Sequence, residues 1–150
     1  MLKKIMKKEE GFTLAELLIV VAIIAVLVAV SIPIFTSQLE KSRESTDIAN
    51  LRAAKAEAVT IYLAGDTSTD TNVSWKTDGK PGAGFTAYYD ATNWQLVKTA
   101  GDVSKGYGKG TATVGNASNT DMSYNPESGY TNKKIKVDVN ASGNVGFTWE

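Results

Sequence analysis

An uninterrupted apolar run near the start of the chain limits its fold more than any other feature. Leu17 to Val30 are fourteen apolar residues in succession, and the wider segment Phe12–Phe35 has 24 residues with one charged side chain. As a helix rising about 1.5 Å per residue, this segment is roughly 36 Å long, which is enough to cross a hydrocarbon core of about 30 Å. The sequence therefore predicts a membrane-spanning helix.

The charges that flank this run predict its orientation. Four lysines, at positions 3, 4, 7 and 8, precede the run, and no comparable basic cluster follows it directly. Because basic residues stay preferentially on the cytoplasmic side, we expect a cytoplasmic N-terminus and a single crossing, with the rest of the chain outside.

Composition excludes several classes of function. The 150 residues include neither cysteine nor histidine, so disulfides, thiolate or imidazole metal sites and catalysis by Cys or His are ruled out. Sixteen basic and sixteen acidic residues cancel, and no basic face for nucleic acid is evident. No carboxylates form a recognisable acid–base motif. The sequence therefore predicts no enzyme, no cofactor, no metal and no specific nucleic-acid site.

Apolar residues spaced at threes and fours predict that the helix continues beyond Phe35 as an amphipathic helix to about residue 64, where Gly65 ends it. Arg43 and Asp47 are expected to form an i,i+4 pair on its solvated side. The predicted apolar stripe consists of Leu39, Ile48, Leu51, Ala58, Val59, Tyr62 and Leu63.

Pro33 lies inside this long helix. It has no N–H to donate, and its ring crowds the carbonyl of Ala29, so we expect a kink near the membrane exit. The alternative is that the helix ends at Pro33.

The C-terminal half of the chain predicts antiparallel strands. Phe85–Tyr89 and Trp94–Val97 flank a four-residue turn, and Ile135–Val139 and Val145–Trp149 alternate apolar and polar residues around a second turn. One face of this small sheet is expected to pack on the helix around residues 51–63, and the other to face water. The predicted fold class is α+β.

The stretch from Lys98 to Lys133 is rich in Gly, Ser, Thr and Asn, and it predicts a long surface excursion that serves as a contact surface. Within it, Gly106–Gly110 lacks the spacing of a phosphate-binding loop and is interpreted as a flexible loop. The tryptophans are expected to pack under the sheet rather than bind ligand. They are Trp75, Trp94 and Trp149.

A short run of oxygen-bearing side chains resembles the start of a calcium loop. These residues are Asp66, Ser68, Asp70 and Asn72. The turn glycine is missing, and Thr77 stands where a bidentate glutamate belongs. We therefore predict no calcium site here.

Glu16 is the one acid in the apolar segment. A carboxylate moved to the bilayer centre costs about 2.5 to 3.5 kcal/mol, so an acid in a membrane span normally has a partner or a function. A local explanation is available, since Thr13-Leu14-Ala15-Glu16 has the spacing of a capping box with Thr13 as N-cap. A role in binding another molecule is the alternative.

Residues 1 to about 36 resemble type IV prepilins, in which a membrane peptidase cuts after a basic leader ending in Gly and the new N-terminal residue, commonly Phe, is N-methylated. Gly11 and Phe12 match that junction, Glu16 matches the family's glutamate five residues into the mature chain, and Pro33 matches its proline. The resemblance implies a leader (1–11), a transmembrane and filament-core helix (12–35) and a globular head (36–150).

The resemblance also implies a function: a structural subunit that polymerises into a surface filament for adhesion, motility or DNA uptake, with Glu16 pairing to the Phe12 amine of a neighbouring subunit. Its implied partners are further copies of the chain, prepilin peptidase and methylase, the assembly platform with its ATPase, minor pilins and the cytoplasmic membrane. Two alternatives are a pseudopilin of a secretion or competence system, and a secreted binding domain whose signal peptide is cut after Ala29-Val30-Ser31.

Overall fold

The computed structural model describes residues 11–65, 72–76, 82–103, 105–112 and 122–150. The chain divides into two compact units, residues 1–36 and residues 37–150. A single 51-residue helix, α1 (Leu14–Ala64), begins in the first unit and ends in the second. Every strand among the described residues lies in the second unit, and the predicted α+β class is confirmed.

Helix α1 ends where its sequence supplies a stop. Gly65 follows Ala64 with a φ of +62°, in the left-handed region that glycine adopts without a Cβ penalty. The N–H of Gly65 donates to the carbonyl oxygen of Ile61 at 3.2 Å, which closes the last turn. The helix continues through Pro33, so the alternative that it ends at this residue is wrong, while a kink there stays a prediction.

The described residues include five strands, which form one antiparallel sheet. They are β1 (Ser74–Trp75), β2 (Phe85–Asp90), β3 (Gln95–Val97), β4 (Ile135–Val139) and β5 (Val145–Trp149). The strand order is β1-β2-β4-β5, and β3 pairs with the other end of β2. The predicted hairpin of β4 and β5 is confirmed, with Val137 opposite Phe147. Pairing of β2 with β4 joins the two predicted hairpins into one sheet.

Trp94 differs from its prediction. It was expected to begin a strand and to pack under the sheet, but it occupies the last position of the turn before β3, with a φ of +56° and 67% of its surface exposed. The tight connection needs one residue in the left-handed region, and Trp94 takes that conformation. Trp75 and Trp149 pack against the core as predicted.

One face of α1 packs against the sheet. Its buried apolar residues include Leu51, Ala54 and Ala58, which lie in one cluster with the inner face of the sheet, including Phe85, Ala87, Ile135, Val137 and Val139. The predicted packing of helix on sheet is therefore confirmed. Part of the predicted stripe is wrong, however, since Leu39, Val59 and Leu63 are exposed, Leu63 by 75%.

The buried stripe of α1 continues toward its N-terminus through acidic residues. Glu40, Glu44 and Asp47 are buried and continue the spacing of three and four that Leu51, Ala54 and Ala58 follow on the same helix face. The predicted solvent-exposed pair of Arg43 with Asp47 is wrong: Asp47 has no exposed surface, and Arg43 instead contacts Glu40 at 3.3 Å.

The backbone of residues 109–111 explains why the carboxylates are buried. The N–H of Lys109 donates to Asp47 Oδ1 at 2.8 Å, and that of Gly110 to Asp47 Oδ2 at 2.7 Å. The N–H of Thr111 donates to Glu40 Oε1. Buried N–H groups need acceptors, and a carboxylate is a strong one. The helix therefore supplies the acceptors for this segment.

The pKa values of the Asp47 and Glu40 carboxyl groups are shifted in opposite directions. Burial raises the pKa of Asp47, although hydrogen bonds from Gly110 and Lys109 act in the opposite direction. Burial acts the same way on Glu40, but hydrogen bonds from Thr111 and the nearby Arg43 guanidinium outweigh it and lower the pKa. Asp47 is therefore held mainly by neutral backbone donors, and Glu40 by both a backbone donor and a cation.

The segment Gly106–Gly110 is fixed, so its interpretation as a flexible loop is wrong. It runs beside residues 130–133, where Tyr130 donates its N–H to Gly110 O at 2.7 Å and Asn132 donates to Gly108 O at 3.0 Å. A Cβ added at Gly106 or Gly108 would overlap the neighbouring carbonyl group. Glycine is needed here because the two backbones approach closely.

Several residues of the stretch from Lys98 to Lys133 join the core, so the prediction of a surface excursion is wrong for them, whereas other described residues of the stretch, such as Lys98 and Glu127, are exposed. The Tyr107 hydroxyl donates to Tyr89 O at 2.8 Å and accepts from the N–H of Ile135 at 3.0 Å. Tyr124 and Tyr130 are buried, with ring centroids 4.7 Å apart. Aromatic side chains spaced along a glycine-rich segment fill the core here, although the overall composition is typical of a loop.

We expect Asp47→Asn to destabilise the head. An amide has one acceptor oxygen. With that oxygen in the Oδ2 position, which receives the N–H groups of both Lys109 and Gly110, the NH₂ group takes the Oδ1 position and faces the N–H of Lys109, so the shorter Lys109 bond is replaced by a contact between two donors. The expected loss is about 1 to 3 kcal/mol in free energy of unfolding. Thermal unfolding of the full-length chain in detergent, followed by near-ultraviolet circular dichroism, measures this loss as a lower melting temperature.

Glu127→Gln is the matched control, because Glu127 is an exposed acid and the change likewise removes one charge. Its melting temperature should stay close to that of the unmodified chain. Equal melting temperatures for the two variants would show that the hydrogen bonds to Asp47 do not stabilise the head.

Candidate functional site

Three of the four predicted site residues lie at the start of α1. Gly11 and Phe12 come just before the helix and Glu16 lies in its first turn, while Pro33 is much further along the helix. Thr13 links them. Its N–H and its hydroxyl donate to Glu16 Oε2 at 2.8 and 2.6 Å, and the N–H of Glu16 donates to Thr13 Oγ1 at 3.2 Å. This reciprocal arrangement is a capping box, as the spacing predicted.

The capping box uses only one of the two carboxylate oxygens of Glu16. Both donors from Thr13 reach Oε2, and Oε1 has no hydrogen-bond partner among the described residues. Within that part of the chain, no lysine or arginine forms an ion pair with Glu16. A carboxylate has about four acceptor positions, so Glu16 can cap its own helix and bind a second donor simultaneously.

The Gly11–Phe12 peptide bond lies just before the helix. Helical residues begin at Leu14, and 88% of the surface of Phe12 is exposed. A Cβ added at Gly11 would meet no atom within 4 Å. An exposed bond outside regular structure is the kind of bond that a peptidase can reach.

The helix that follows is apolar on every side. All side chains from Leu14 to Phe35 are exposed, and Glu16 is the one charged residue among them. By length and composition, this helix is able to cross a membrane. So large an apolar surface needs a cover of lipid or of other apolar helices.

Metal binding receives no support from the part of the chain that the structure describes, where no three His, Cys, Asp or Glu residues are grouped to hold an ion. Of the calcium-loop candidates, Asp66, Ser68 and Asp70 lie outside the described residues. Glu40 and Asp47 were not predicted from the sequence as acceptors for buried backbone N–H groups. Their spacing in phase with Leu51 was the available signal.

Comparison with known proteins agrees with this geometry. A family model described as "Prokaryotic N-terminal methylation motif" matches residues 6–32. The chain is 31% identical over 122 residues to the type IV major alpha-pilin of Moraxella bovis, which covers 78% of this chain and 76% of the relative. Fimbrial protein Q of the same organism is 30% identical over 119 residues, with the same two coverages.

A third relative, the type IV major fimbrial protein FimA of Dichelobacter nodosus, is 35% identical over 69 residues, or 46% of this chain and 44% of the relative. No solved structure gives a significant match to the chain. The first two matches cover about three quarters of this chain and of each relative, so they extend beyond the apolar helix into the head. With its methylation motif and its long helix packed on a small antiparallel sheet, this chain belongs to the type IV pilin family and is a structural subunit of a pilus.

Proposed function

We propose that the chain is made as a precursor that is cut between Gly11 and Phe12, after which the new amine of Phe12 is methylated. The observation that carries this proposal is the position of the Gly11–Phe12 bond, which is exposed and lies just ahead of the capped helix. Cutting there removes the basic leader (1–11) and leaves the capping box of Thr13 and Glu16 intact.

Cleavage also creates the charge that assembly needs. The Phe12 nitrogen changes from a neutral amide to a cationic amine, and within the described part of each subunit Glu16 Oε1 has no hydrogen-bond partner. In a bundle of apolar helices, an ion pair between Phe12 of one subunit and Glu16 of its neighbour is stronger than in water. An unpaired carboxylate there is costly, so the pair fixes the axial stagger of the helices, as a buried polar residue fixes register in a coiled coil.

The precursor resides in the cytoplasmic membrane with its N-terminus inside, and the mature subunit moves into the surface filament. The lysines before the span and the apolar surface of α1 support this route. The proposed partners are the prepilin peptidase and methylase, the assembly platform with its ATPase, and minor pilins. Adhesion, motility and DNA uptake are the tasks proposed for the filament.

Mass spectrometry of protein sheared from the cell surface tests the processing step. We expect an intact mature chain that begins with methylated Phe12, because the accessible bond lies between Gly11 and the capped helix. The measurement is the intact mass together with the sequence of the N-terminal peptide.

A chain beginning at Ile32, as expected for an ordinary signal peptide cut after Ser31, would contradict the processing proposal. Recovery of the chain with Met1 still in place would contradict it equally.

Glu16→Gln separates the capping role from the charge. A capping box accepts Gln in place of Glu, so this variant retains its helix cap but has no charge for the neighbouring amine. We expect normal membrane insertion and a loss of filaments of at least about tenfold, which corresponds to about 1.4 kcal/mol. Shearing, followed by quantitative immunoblotting of the surface fraction, measures filament yield.

Thr13→Ala is the matched control, since it removes the cap oxygen and keeps the carboxylate. Its filament yield should exceed that of Glu16→Gln. The opposite order, with normal filaments from Glu16→Gln and few from Thr13→Ala, would reduce Glu16 to a helix cap.

A further inference from the structure

Strand β5 forms one end of the sheet that the described residues build. At its ends, Lys134 and Glu150 exchange two backbone hydrogen bonds of 2.7 and 2.9 Å, and the N–H of Asn140 donates to Asn144 O at 3.0 Å. Because such pairs alternate in an antiparallel ladder, Gly146 and Thr148 also direct their backbone groups toward β4. The backbone groups of the intervening residues point away from the sheet. These residues are Val145, Phe147 and Trp149.

No strand within the described residues pairs with this outer edge. Residues 140–149, which include this edge strand, contain no charged residue and no proline. Exposed edges in native sheets are commonly blocked by Lys, Pro, a bulge or a covering segment, because unpaired backbone groups attract other strands. This edge, which no charge or proline of its own strand and no strand of the described residues blocks, is therefore a candidate site for strand addition.

The apolar layer of the sheet continues to this edge. Ile135, Val137 and Val139 of β4 are completely buried, whereas the residues opposite them in β5 are only half-buried. Apolar surface therefore remains on the inner side of the edge strand. A further strand would both pair the outward backbone groups and cover this surface.

We propose that the outer edge of β5 pairs antiparallel with β5 of a second copy and joins the heads of neighbouring filaments. The inference rests on the pilus function, because a filament presents many copies of this edge at high local concentration. The strand that pairs with the outer edge of β5 should be extended and uncharged, and β5 itself has these properties. The pairing is two-fold symmetric, so the same patch serves both partners.

The pattern of β5 is self-complementary about Phe147. With Phe147 opposite its own copy, Val145 lies opposite Trp149 of the second copy, so apolar residues meet on the inner face. On the outer face, Gly146 lies opposite Thr148 of the second copy, and both are small and uncharged. No like charges meet in this register, which would otherwise disfavour the pairing.

Two double variants test the pairing, Gly146→Lys with Thr148→Lys and Gly146→Asp with Thr148→Asp. Position 146 tolerates a side chain, since an added Cβ would lie 3.7 Å from its nearest neighbour, Asp138 O. Within the same sheet, Gly146 faces Asp138 and Thr148 faces Lys136. Each double variant therefore gains one attractive and one repulsive neighbour in its own fold, which matches their effects on stability.

Filaments of each kind are prepared separately, and lateral association is measured as the fraction that sediments at low speed. Unmodified filaments should associate. Each double variant alone should associate at least about tenfold less, because like charges oppose each other at both outer pairs. Mixing the two variants should restore association, and added salt should weaken it.

Unmodified filaments that stay single, double variants that associate normally, or a mixture that stays single would each overturn the proposal. A variant from which no filaments can be isolated has an assembly defect, and its lateral association cannot be scored by sedimentation. In that case, cysteine cross-linking tests whether β5 pairs with β5 of a second copy.

For this second measurement, filaments of Gly146→Cys are mixed with filaments of Thr148→Cys. The natural chain has no cysteine, and this non-hydrogen-bonded pair places the two Cα atoms about 4.5 Å apart, within the range of a disulfide. A cross-linked dimer is expected under mild oxidation. Its absence, or an equal yield when the exposed Lys98→Cys replaces Thr148→Cys, would overturn the proposal.

Discussion

The hydrogen bonds between buried carboxylates of α1 and the backbone of residues 109–111 are the interaction on which the head depends. Asp47 and Gly110 are 63 residues apart in sequence, and no disulfide holds them together. A carboxylate that accepts N–H bonds away from water makes a strong contact, but it is costly to bury without those donors. Helix and segment therefore fold together, because the polar groups of each satisfy those of the other.

Close backbone approach and aromatic packing complete this attachment. Glycines at positions 106 and 108 let the segment run against the carbonyls of residues 130 and 132. Beside them, the ring of Tyr130 lies between those of Tyr124 and Trp149, with centroid distances of 4.7 and 4.8 Å. A region whose composition is typical of a surface loop thus becomes part of the core, and the sheet and its hairpin gain a fixed neighbour.

Helix α1 serves two environments with one secondary structure. From Leu14 to Phe35 its apolar surface suits contact with lipid or with other helices. From Glu40 onward, one face carries both acidic and apolar residues that are buried against the rest of the head. At Glu16, one carboxylate oxygen caps the helix, and the other has no hydrogen-bond partner among the described residues, which leaves it for the proposed contact between subunits. The hydrogen bonds that cap the start of the helix and the proposed contact with a neighbouring subunit can therefore form at the same time.

The amino-acid sequence by itself determined the features that depend on local pattern: the long apolar helix, its stop at Gly65, the capping box and the alternating strands of β4 and β5. These follow from residues that are neighbours along the chain. Only the tertiary structure decided that β2 pairs with β4 and that Glu40 and Asp47 are buried. A local run of charges predicts solvation, and the backbone donors that overturn this prediction come from a distant segment whose approach no local pattern encodes.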